Sequence, residues 1–178
     1  MPEKRPSIED VARQEAEVER ERAEARAEQL KSGEKLAKEM PDSFFELAGL
    51  LRETVRRFNA AADPQKRLTW RESAALAARD ANLHADFNLT FGRAGGEVSL
   101  ALNAMGRSGK PDVFVIEGFG QVLDNRFMLR VEGFVLKGKT NLRITIDFRR
   151  LDVTLEELAE RLVLSVVKCD TSELFRAN

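Results

Sequence analysis

The sequence predicts an α+β protein: a five-stranded antiparallel meander sheet packed with helices, preceded by a charged helical arm. Three observations predict it. The stretch Arg126 to Arg150 alternates apolar and polar residues on both sides of a glycine, as a hairpin does. Three Ser/Thr-x-x-Glu signals stand in front of apolar residues at helical spacing. Residues 7–40 are rich in charge and alanine and nearly free of large apolar side chains. The organisation that follows is an arm over 1–40 and an α+β domain over 41–178.

The arm comes first. Opposite charges recur at helical spacing, as in Glu9–Arg13 and Arg13–Glu17. Ile8, Val11, Val18 and Ala25 take heptad positions, but Glu15 and Arg22 fall between them. A coiled coil needs a sustained apolar stripe, so the arm reads either as a weak coiled coil or as a solvated helix, partly disordered. Gly33 is expected to break or fray it, and Pro41-Asp42 marks a boundary.

Ser43 and Glu46 open a helix to about Ala61, with Phe44, Leu47, Ala48, Leu51, Val55 and Phe58 on one stripe. Asp63-Pro64 ends it. Thr69 and Glu72 read as the opening of a further helix through Arg79 or Asn82, favoured by its alanines. A strand starting at Arg67 is the alternative, and Trp70 is a lid over the edge of the core. From His84, alternation sets in. Ala85, Phe87, Leu89 and Phe91 form one side of a strand, and Val98, Leu100, Leu102 and Ala104 one side of the next, with Gly92–Gly96 as the turn. Gly106 to Pro111 is a loop. Val113 to Ile116 is apolar on both sides, as an interior strand would be. Gly118 to Asn125 reads as another loop.

In the central hairpin Phe127, Leu129, Val131 and Val135 share a face, as do Leu142, Ile144, Ile146 and Phe148. A type II′ turn at Gly138-Lys139 would oppose Gly133 to Ile144, Val131 to Ile146 and Leu129 to Phe148. It would also place Arg130 opposite Asp147 and Phe134 opposite Arg143. Thr154 and Glu157 cap a final helix whose apolar residues spread well around the cylinder. It should be buried between layers or packed on another chain. After Cys169 only a short polar tail is expected.

Chemistry is sparse. The net charge of −1 gives no pull towards DNA or an anionic membrane. One cysteine excludes an internal disulfide, and no apolar run is long enough to span a bilayer, so a cytoplasmic protein is expected. His84 stands alone, and neither it nor Cys169 has the partner that nucleophilic catalysis requires. No Cys/His cluster suits zinc. Asp112, Glu117, Glu132 and Asp147 could offer oxygen ligands on strands. A nuclease-like Glu-X-Lys step is absent, because Gly133 and Phe134 follow Glu132. Gly106 to Lys110 imitates a phosphate loop but has Ala104 and Pro111 at required positions. No catalytic, cofactor or metal residue is therefore assigned, and the chain is read as not an enzyme.

The apolar surplus is the better clue. Phe114, Ile116, Met128, Phe134 and Leu136 are read as pointing away from the core face of the sheet, and Val163, Leu164 and Val167 away from the core side of the last helix. Together they would form a patch too large for a monomer. The expected function is a non-enzymatic interaction or assembly module, an adaptor that self-associates or takes a protein partner through these residues. The alternative is a small chaperone-like protein holding an apolar ligand or peptide between sheet and helix. Arg130 and Arg143 beside Phe134 leave RNA as the one nucleic acid in play.

Overall fold

The computed structural model describes residues 8–79, 82–103 and 113–176. The loop expected at 106–111 and the ligand candidate Asp112 lie outside them. The first element is a single α-helix, α1, Ile8–Ala61, of 54 residues and about 80 Å at 1.5 Å per residue. It runs unbroken through Gly33 and Pro41, where a break was expected. Ser43 does not cap a new helix; its hydroxyl donates to the Glu39 carbonyl at 3.4 Å, one turn back. The composition change at residue 40 therefore marks a change of surroundings, not of conformation. Residues 11–28 are exposed on every side, whereas Phe44, Leu47, Ala48, Leu51 and Val55 are buried.

Seven strands follow in a plain meander, each antiparallel to the next: β1 Thr69–Arg79, β2 Asn82–Arg93, β3 Gly96–Asn103, β4 Val113–Val122, β5 Asn125–Leu136, β6 Lys139–Ile146 and β7 Arg149–Leu151. The α+β class and the meander order are as expected; the count is seven, not five. One added strand is β1, which the alanines had suggested was helical. Thr69 does not cap a helix, and its hydroxyl donates across the ladder to the Gly92 carbonyl at 2.9 Å. Eleven residues pair in register from Thr69–Gly92 to Arg79–Asn82. Helix propensity is worth only tenths of a kcal/mol per alanine, and pairing with β2 overrides it. The other added strand is β7, reached by a tight turn at Asp147-Phe148. The expected loop at 118–125 is instead the second half of β4 and a turn at Leu123-Asp124.

The hairpin register also differs. The turn is Lys137-Gly138, both at positive φ (50° and 72°), which is type I′ rather than type II′. Every pair moves two residues along: Gly133 faces Leu142, Val131 faces Ile144, and Leu129 faces Ile146. Arg130 consequently lies opposite Thr145, Arg143 opposite Glu132, and Phe134 opposite Asn141. Phe148 faces no strand residue and is 84% exposed.

The final helix, α2, Leu155–Lys168, opens with the expected capping box: Thr154 Oγ1 accepts from the Glu157 N–H, and the Glu157 carboxylate accepts from the Thr154 N–H. Its apolar surface is broad because it is enclosed. Leu158, Ala159, Leu162 and Val166 are fully buried against α1 and the sheet. The residues after Cys169 are not a polar tail. They form a 3-10 turn, Thr171–Phe175, that seats Leu174 fully buried beside α2.

Both helices cover the same face of the sheet. In register, Leu100, Gly118, Leu129 and Ile146 form one row across β3 to β6, and Val98, Gly120 and Phe127 form the next. Trp70 closes the second row by stacking on Phe91, ring centroids 6.1 Å apart. The two glycines are where large neighbours need the space. A Cβ at Gly120 would sit 2.1 Å from Cζ of Phe127. Gly120→Ala should therefore lower stability by about 1–3 kcal/mol, since the buried ring must shift to admit the methyl group. Equilibrium urea unfolding checks this, and a neutral result would mean the ring relocates without cost.

Candidate interaction surface

The other face of the sheet carries no helix among the described residues. The rows are Thr90, Ser99, Phe119 and Met128; then Glu117, Arg130, Thr145 and Arg150; then Val115, Glu132 and Arg143. Phe134 and Leu136 complete the β5 end. Hydroxyls of Thr90 and Ser99 bond to each other at 2.9 Å. Arg130, only 14% exposed, lies between two carboxylates, Glu117 at 3.0 Å and Glu132 at 3.6 Å. Glu132 also reaches Arg143 at 3.8 Å, and the Arg143 guanidinium stands 5.3 Å from the centre of the Phe134 ring. Burial would disfavour an unpaired charge here, and the flanking carboxylates offset that cost.

The expected interface residues divide. Phe134 and Met128 lie on the uncovered face, half-buried, and Leu136 lies there 57% exposed. Phe114 and Ile116 do not. Ile116 pairs with Val131 and is fully buried, and Phe114 pairs with Gly133 in the same core. Val163 is buried too, and Val167 is partly buried against the core; of the α2 residues named, Leu164 alone is classed as exposed. The last helix is thus covered by its own chain. One residue that the sequence reading missed is Phe119, 57% exposed on this face, because its stretch had been read as a loop.

Two hollows open at the margins. One, of about 390 Å³, is lined by Met128, Arg130, Glu132, Arg143, Thr145, Phe148 and Arg150. The other, about 550 Å³, lies at the turn end of β2 to β5 and includes Arg93, Glu97, Phe119, Leu123 and Arg126. Neither brings together a nucleophile and a base, or two carboxylates around open space. Glu117 and Glu132 are held by Arg130. Asp147, expected to pair with Arg130, accepts instead from the Met128 N–H at 2.8 Å and holds the β6–β7 turn. Among the described residues no three His, Cys, Asp or Glu side chains converge as a metal site. Cys169 is a free thiol whose Sγ donates to the Val166 carbonyl at 3.6 Å. His84 lies on β2 opposite Ala77. Between the helices and the sheet, where an apolar ligand was the alternative occupant, lies the hydrophobic core, with Leu47, Leu51, Leu100, Leu129 and Leu158 among its fully buried side chains.

No helix among the described residues is long and apolar enough to cross a membrane. No protein family, curated protein or solved structure matches this chain.

Proposed function

We propose that the protein is a non-enzymatic interaction module that associates with a second copy of itself through the sheet face its helices leave uncovered. The observation that carries this reading is the one-sided cover. α1 and α2 share one face, so on the other Phe119 and Leu136 are exposed and Met128 and Phe134 only half-buried. Aromatic, methionine and arginine side chains are the types enriched at protein–protein interfaces, and here Phe119 with Met128 and Phe134 with Leu136 flank the paired charges of Arg130, Glu132 and Arg143. Of Val163, Leu164 and Val167 on α2, Val163 is buried and Leu164 is the one exposed, which favours the sheet face as the contact.

Sedimentation equilibrium tests the proposal. The full chain should run at twice its 20.0 kDa mass. Phe134→Asp should raise the dissociation constant by about tenfold or more, as loss of a central aromatic anchor does, with unchanged far-UV circular dichroism. A mass of 20.0 kDa at every concentration reached would overturn it.

A further inference from the structure

We infer that the occupant of the uncovered sheet face is the acidic stretch of α1, residues 9–28, from the second copy. This rests on the self-association reading and says which part of the partner makes the contact.

Charge is the first ground. From Glu9 to Glu28 the helix has eight acidic residues against four arginines. Across β4 to β7 the uncovered face presents Arg126, Arg130, Lys139, Arg143 and Arg150 against Glu117 and Glu132. Those two carboxylates are taken up by Arg130 and Arg143. Arg126 and Arg150 have no carboxylate partner among the described residues. The two surfaces therefore carry opposite excess charge, and each leaves part of it unanswered within the chain.

Geometry is the second ground. The stretch cannot reach its own sheet's basic face. α1 is one unbroken helix, and its residues 44–55 lie on the opposite face of that sheet. It leaves the body at the tip of the β5–β6 hairpin, where Lys35 bonds the Gly138 carbonyl and Glu39 bonds Thr140. Glu9 then lies about 40 Å farther out at 1.5 Å per residue. Only another molecule can meet it.

The third ground is the helix itself. A long polar helix with no tertiary packing has little to stabilise it. Arg20–Glu24, at 3.7 Å, is an exposed pair that offers little support. Val11 and Val18, seven residues and about 10 Å apart and exposed beside Glu15, give the helix a short apolar edge that could rest on Phe134. A two-fold axis would make the exchange reciprocal, each copy lending its arm and receiving the other's.

Paired charge reversals in the full chain test this. Glu15→Lys with Glu19→Lys should weaken the dimer about tenfold or more, and Arg126→Glu with Arg150→Glu should do the same. All four in one chain should restore the wild-type dissociation constant to within about threefold, as a coupled pair requires. The wild-type dimer should also loosen as salt rises. If Phe134→Asp dissociates the dimer but neither reversal does, the face is an interface and the arm is not its occupant. Were the arm reversal alone effective, the arms would pair with each other, and the inference would fall. Binding of a single-stranded RNA oligonucleotide that Arg126→Glu with Arg150→Glu abolishes, with no change in mass, would also overturn it. A monomeric wild type removes both the inference and the reading beneath it.

Discussion

Leu100→Ala should cost about 2–5 kcal/mol and Gly118→Ala about 1–3 kcal/mol, yet the double variant should cost clearly less than the sum. The reason lies in one row of the sheet. Leu100, Gly118 and Leu129 are neighbours across β3, β4 and β5, and Leu100 and Leu129 are buried. A Cβ placed on Gly118 would stand 2.2 Å from Cδ2 of Leu100 but 3.3 Å from Cβ of Leu129. Leu100 has therefore grown into the space that glycine leaves. Cutting Leu100 back opens a cavity, and adding a methyl at Gly118 overfills the same volume. Together they exchange part of one side chain for part of another. Denaturant unfolding of the two single variants and the double gives the coupling directly. Strict additivity would show that the two residues do not share that space.

The same row shows how far alternation can be read. Apolar and polar residues alternate with a period of two, so the pattern assigns each residue to a face. It is blind to a slide of two residues, which leaves every face intact. Leu129, Val131, Ile144 and Ile146 are buried as their pattern requires, although each faces a partner two places from the expected one. Choosing between the registers needed the turn. Glycine occupies either Gly138-Lys139 or Lys137-Gly138, and the chain takes the second, with Lys137 at a φ of 50°. Lysine rarely adopts that conformation, so the local signal favoured the wrong turn. The chosen register frees Asp147 and Phe148 to form the next turn and lets β7 add to the sheet.

Candidate surface residues divide for the same reason. Met128, Phe134 and Leu136 sit in a strand with clear alternation, and they fall on the face read for them. Val113 to Ile116 is apolar at every position, so nothing local says which of Phe114 and Val115 looks inward. Pairing of Ile116 with Val131 decides it, and that is information from another strand. Val115 is the member on the uncovered face, and it is buried there. Phe119 was missed because Gly118 and Gly120 resemble loop residues. In the folded chain they are strand positions, kept small by Leu100 and Phe127. Reading α1 failed differently. Pro41 was taken as a stop, yet the helix continues through it to the core stripe beyond.

Asn59→Ala should destabilise the fold by about 2–4 kcal/mol, although the side chain is polar and lies outside any cluster of charge. Its amide Nδ2 donates to the Leu68 carbonyl at 2.9 Å, and its Oδ1 accepts from the Leu68 N–H at 2.8 Å. Leu68 is 4% exposed, just ahead of β1, and these are the bonds that a neighbouring strand would otherwise supply. The amide thereby ties the last turn of α1 to the start of the sheet across the short connection through Pro64–Lys66. Alanine would strand both backbone groups out of reach of water. Asn59→Asp separates the two bonds. It keeps the acceptor, loses the donor, and sets a carboxylate oxygen against the Leu68 carbonyl. The folded protein would then disfavour the ionised form and raise that carboxyl's pKa above its unfolded value. The stability of Asn59→Asp relative to wild type should accordingly be highest below the ordinary carboxylate range and fall as pH rises through the raised value. Urea unfolding at several pH values measures both effects, and hydrogen exchange at the Leu68 amide reports the clamp itself. Unchanged exchange in Asn59→Ala would mean that other groups hold Leu68 in place.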